Sequence, residues 1–141
     1  MNITAIPFHQ YLGLEFAEPP YLLQLRAQKH HTNHLGTIHA SVLIAVAEAG
    51  SGQFLMNHLS DGTEKVGETI LPVIRRIEAK FHQGGQGTVY ARCTLDPASL
   101  SAARHDLQVK HRAKVLVPMQ VVDAQGTLLL SVTFDWFIQS T

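Results

Sequence analysis

From Ala40 to Ala49 the chain is apolar at every position except Ser41 and Glu48. A helix with that pattern leaves no face for water and has to be buried. Continued to His58, it is roughly 28 Å long at about 1.5 Å per residue. A chain of 141 residues packs to a radius of gyration of about 14 Å. The helix therefore crosses the molecule, and the remaining elements have to wrap round it. Glu48, Ser51 and Gln53 interrupt it, and its apolar part is short and rich in alanine, so it does not read as a membrane span.

Glu48 is a carboxylate in an apolar run, and burying a charge is costly unless it is paired or hydrogen-bonded. Gly50 and Gly52 inside a helix each cost about 1 kcal/mol relative to alanine, and close backbone packing is the usual compensation. Just upstream, Asn33, Gly36 and Thr37 suit a turn feeding the helix N-terminus. Such an end gathers unpaired N–H groups and a partial positive charge, which can hold a carbonyl or anionic oxygen.

The wrapping elements read as follows. Ile6 to Leu12 is a short helical turn stopped by Gly13, with Phe8, Tyr11 and Leu12 as its inner face. A strand begins at Leu14–Ala17, breaks at Pro19-Pro20 and resumes over Tyr21–Gln28, where Leu23, Leu25 and Ala27 alternate with polar residues. Ser60-Asp61-Gly62 closes the region after the long helix. Four more apolar faces alternate later: Ile77, Ala79 and Phe81; Val89, Ala91, Cys93 and Leu95; Val115, Val117, Met119 and Val121; and Leu128 through Ile138. Asp123-Ala124-Gln125-Gly126 joins the last two as a hairpin, and Pro118 points to an edge or a bulge. Asp96-Pro97 opens a short helix with Leu100, Ala103 and Leu107 on one side. The pattern predicts an α+β class: one domain, residues 1–141, with a curved antiparallel sheet round a central helix.

With 11 basic and 11 acidic side chains the formal net charge is zero, which argues against nucleic acid or an anionic membrane as the main target. The single Cys93 excludes an internal disulfide framework and suits a reducing compartment. The first residues lack a basic segment followed by a long apolar run, so a cytoplasmic protein is expected.

The spacing Asn33-x-x-Gly36-x-x-His39, followed by Glu48 nine residues on, resembles the hotdog-fold thioesterases, with the nearest likeness to the phenylacetyl-CoA thioesterase type and related uncharacterised hotdog proteins. The likeness spans roughly Phe8 to Phe137. In that pattern two glycines usually follow the histidine; here Ala40 and Ser41 stand there, and the Ala40 methyl crowds the carbonyl site. The resemblance implies hydrolysis of an acyl-CoA or related acyl thioester. The carbonyl would be polarised by N–H groups near Ala40. Glu48, usually from the facing subunit, would serve as general base or nucleophile, and Asn33 would orient water or the carboxylate. Gly36, His39 and Ser41 fall on the substrate side. No cofactor and no metal are implied. The strand Val73–Phe81 would lie at a sheet edge and pair with its twin, giving a homodimer or a dimer of dimers. Local reading would instead pair it with Thr88–Leu95 through the Gln83–Gly87 loop.

Other readings stay open at this level. Glu48 can be a structural carboxylate paired with an arginine, and His39 a plain helix cap. His30, His31, His34 and His39 cluster in sequence without zinc-like spacing. Ser41 and Ser51 lack a Ser-His-acid context or a nucleophile elbow. A non-catalytic hotdog protein that binds acyl-CoA as a sensor or scaffold is the main rival. A hotdog hydratase would want a His and Asp arrangement that is not found.

Overall fold

The computed structural model describes residues 1–59 and 70–141, and in it the apolar run is one helix, α2, Ala40–Leu59. Besides three short 3-10 turns, the other described elements are α1 (Pro7–Leu12), α3 (Ser101–Lys110) and six strands: β1 (Glu15–Phe16), β2 (Leu23–Arg26), β3 (Ile70–Phe81), β4 (Thr88–Cys93), β5 (Arg112–Asp123) and β6 (Leu128–Ser140). All pairings are antiparallel, in the order β1-β2-β4-β5-β6-β3. Ser60-Asp61-Gly62 lies outside the described residues.

This is the α+β hotdog architecture implied by the resemblance, a curved sheet folded round α2. The helix packs on β2, β4, β5 and β6. Their inward residues, such as Leu25, Ala91, Val117 and Phe134, are buried with Val46, Ala49 and Leu55 of the helix in one apolar cluster. Gly50 fits as expected: a methyl group there would lie 3.0 Å from the Cβ of Ala91 and 2.9 Å from the end of Met119. Ser51 is buried but satisfied, donating to the Glu48 carbonyl at 2.7 Å and accepting from the Trp136 indole N–H at 3.0 Å. Arg104 of α3 donates to the His58 carbonyl at 2.8 Å and so closes the far end of α2.

Four expectations need correction. The helix is not covered on every side: Ser41 is exposed, and Ile44 and Glu48 are only partly buried, at positions three and four apart that form one open stripe. On α1 it is His9 and Leu12 that are buried, while Phe8 and Tyr11 face outward. A six-residue helix has one narrow inner face, and the chain turns it so that His9 meets α2. The alternating face Ile77, Ala79 and Phe81 points to the concave side, opposite Phe134, Val132 and Leu130 of β6, yet stays exposed. A register shift between Ile74 and Arg76 keeps the apolar residues on that side. Finally, β3 pairs with β6 and not with β4, leaving β3 at the sheet edge, so the local pairing with Thr88–Leu95 fails.

Pro118 sits in β5, an inner strand, but its position obeys the rule that suggested an edge. Its carbonyl accepts from Thr94 N–H at 3.1 Å, just past the last residue of β4. The side of Pro118 that lacks an N–H therefore faces the point where β4 has ended.

Candidate active site

The turn before α2 is built by Asn33. Its backbone N–H donates to the Thr37 carbonyl at 2.8 Å. Its side-chain oxygen accepts from the N–H groups of Leu35 and Thr37 at 2.9 and 3.2 Å, and its amide donates to the Thr37 hydroxyl at 2.9 Å. Gly36 sits inside this turn with φ of +76°, a region side chains rarely adopt. The Ile38 N–H donates to the Gly85 carbonyl at 2.9 Å, and the Gln86 side chain reaches the Gly36 carbonyl at 3.5 Å. The loop after β3 thus holds the turn in place.

At the helix N-terminus His39 is the cap. Its backbone N–H donates to the His31 carbonyl at 2.8 Å, and its Nδ1 accepts from Ser41 N–H at 3.0 Å. Val42 and Leu43 donate to the His39 carbonyl. Among the described residues this leaves the exposed Ala40 N–H as the one early donor of α2 without a partner. Asn33, Gly36, His39, Ala40 and Ser41 are therefore brought together at one helix end.

Glu48 is not with them. Eight residues separate it from Ala40, about 12 Å along the helix. It keeps 31% of its side-chain surface and lies 3.3 Å from Nε2 of His9, not beside an arginine. Burial pushes its carboxyl above the usual carboxylate range, and the nearby His9 works against that push. His9 escaped the sequence reading because the inner face of α1 was sought among its aromatic residues. A lone histidine on so short a helix leaves no periodic signal.

Of the histidine cluster, the rings of His30 and His31 meet at a tilt with centres 4.0 Å apart, and His31 is buried with Nδ1 accepting from Gln28 N–H at 2.8 Å. Among the described residues no three His, Cys, Asp or Glu side chains come together as metal ligands. An open pocket of about 320 Å³ between α1 and β2 is lined by Tyr11, Glu15, Arg26 and His30 among others, and includes neither Ala40 nor Glu48. Among the described residues no helix is long and apolar enough to cross a membrane.

A family described as a domain of unknown function, DUF4442, matches residues 17–138. No protein of curated function matches the sequence. Solved structures share the fold at low identity. A Pseudomonas aeruginosa protein of unknown function, named a probable thioesterase, is 20% identical over 99% of this chain and 91% of its own, with a TM-score of 0.77. A Chlorobaculum tepidum protein with unknown function is 16% identical over 96% and 87%, with a TM-score of 0.75. A Bacillus halodurans protein whose structure was solved with CoA is 17% identical over 93% and 74%, with a TM-score of 0.68.

Proposed function

The chain belongs to the DUF4442 family, and from that premise we propose that it hydrolyses an acyl-CoA or related acyl thioester as a two-fold dimer or a dimer of dimers. The observation that carries this reading is the separation of two complementary groups on one helix. An unclaimed N–H at Ala40 can polarise a carbonyl, and a half-buried carboxyl at Glu48 can act on it, but about 12 Å of helix keeps them apart within one chain. A carbonyl held by Ala40 meets a carboxylate only if Glu48 comes from a facing subunit. The exposed apolar edge of β3 supports pairing of two chains there. The CoA in the Bacillus halodurans relative and the name of the Pseudomonas aeruginosa one support the substrate class.

In this reading the Ala40 N–H is a preorganised donor for the developing oxyanion, a contribution of about 3 kcal/mol where such donors have been removed. Glu48 activates water or attacks the carbonyl itself, and burial, by raising its pKa, makes it a stronger base. Asn33 acts through the turn it holds, and Gly36, His39 and Ser41 shape the substrate side. The single Cys93 is in keeping with a reducing, cytoplasmic setting, and residues 1–141 serve as one domain.

One observation favours the rival reading of a non-catalytic acyl-CoA sensor. Ser41 N–H is already spent on His39, so the helix end offers one donor where two would hold an oxyanion more firmly. A panel of acyl-CoAs followed by free-thiol release decides between the two. Turnover that falls about 100-fold or more in Glu48→Gln, with the melting temperature held, supports hydrolysis. Saturable binding without thiol release overturns it in favour of the sensor.

A further inference from the structure

Glu48 has a partner that the proposed reaction leaves without a task. His9 is 5% exposed and held from two sides. Its Nδ1 lies 2.8 Å from the Ile3 carbonyl, and its Nε2 lies 3.3 Å from Oε2 of Glu48. A carbonyl oxygen can only accept, so Nδ1 carries a proton. A neutral ring would then present a lone pair at Nε2, and a lone pair facing a carboxylate oxygen is repelled. A proton therefore lies between the two groups: either imidazolium faces carboxylate, or carboxylic acid faces neutral imidazole.

We propose that His9 is the positioning residue of Glu48: it holds that proton on Nε2, keeps Glu48 a carboxylate with Oε2 fixed, and leaves Oε1 free to act. What Oε1 acts on rests on the hydrolase reading; the pairing does not. The backbone supports the arrangement, because Ile3, whose carbonyl fixes the ring, is itself buried in the core. The direction of charge agrees: burial favours the neutral acid at Glu48, and His9 opposes it.

Among the described residues, the inward faces packed on α2 carry little charge. The strands packed on α2 turn apolar residues toward the helix, among them Leu23, Leu25, Val89, Ala91 and Met119, while Glu48 lies on its open stripe. Cys93 is the titratable side chain on those inward faces, and burial pushes its thiol up, so it stays neutral. On α2 itself the other titratable side chain is His58, near the far end. On α1 the other is Tyr11, which is exposed.

The test uses His9→Gln, which keeps a polar side chain and removes the charge. Infrared difference spectra between the wild-type protein and Glu48→Gln, each also made in the His9→Gln background, isolate the carboxyl band of Glu48. In His9→Gln the acid form should persist to a proton concentration about tenfold lower. If the protein turns over a thioester, kcat/KM of His9→Gln should fall about tenfold at the acid end and rejoin the wild type at the alkaline end, where Glu48 is a carboxylate in both proteins. A purely structural histidine would instead lower the melting temperature and reduce kcat/KM by one factor at every pH, which overturns the proposal. Nitrogen-detected NMR of the wild type, needing no variant, should show protons on both ring nitrogens of His9 at neutral pH. A singly protonated ring beside a protonated Glu48 overturns it as well. Absence of turnover on every acyl-CoA would sink the hydrolase reading and leave both spectroscopic tests standing. Turnover with an unmoved carboxyl band would do the reverse.

Discussion

β6 is flanked along its length by β5 on one side and β3 on the other, and the same core residues look both ways. Phe134 stands between Val117 and Ile77, Val132 between Met119 and Ala79, and Leu130 between Val121 and Phe81. The β5 partners are sealed: Val117 and Val121 expose nothing. The β3 partners are open, with Ile77 and Phe81 each 46% exposed. Sequence alternation is equally clear in both strands, and both are 12 residues long, so the difference does not come from the strands. It comes from what lies across from them. α2 packs on β5 and β6, and has no comparable packing on β3. A strand with one apolar face, an uncovered concave side and a free edge is what the proposed dimer would use as its half of the interface.

The comparison breaks most visibly by charging the sealed side. Val117→Asp places an unpaired carboxylate in the core and should cost about 4 kcal/mol or more; a folded, soluble variant in thermal denaturation would show that the β5 face is not the core it is described to be. Next in size is Ile77→Asp, at the mirrored position. The fold should survive with a loss of about 1 kcal/mol, while light scattering at micromolar concentration should report monomers and thioester turnover should fall about as far as in Glu48→Gln. A fully active dimer would remove β3 from the interface. The smallest effect belongs to Leu71→Ser, on the outer face of the same strand opposite Gln139. It should change stability by no more than about 0.5 kcal/mol and leave the proposed dimer intact. If it dissociates the dimer more readily than Ile77→Asp, the partner sits on the convex face.

The helix at the centre of the fold was legible because a nearly all-apolar run has to be largely buried, but its open stripe at Ser41, Ile44 and Glu48 was not. The turn before it was legible because Asn33, Gly36 and Thr37 are the residues such a turn demands, and each takes its expected place. The edge position of β3 came from the family likeness, since nothing local distinguishes it from a strand paired with β4. The bare face at Ile77 and Phe81 was not legible, because alternation marks a face without naming what covers it. Nor was the meeting of His9 with Glu48, which joins residues 39 positions apart through the way α1 is rolled against α2.

The carbonyl of Gly85 that receives the Ile38 N–H has a consequence for how this protein tolerates change. A methyl group at Gly85 would stand 2.4 Å from Leu129 Cδ1, and one at Gly84 would stand 3.0 Å from the Thr37 methyl. The loop reaches the mouth of α2 only because these two positions carry nothing. A survey that ranks residues by the chemistry of their side chains would pass over both. Yet one added carbon at Gly85 has to push aside the Leu129 side chain of β6, which is itself fully buried. A change at this place, which carries no functional group, therefore reaches the helix mouth through the Gly85 carbonyl that holds Ile38.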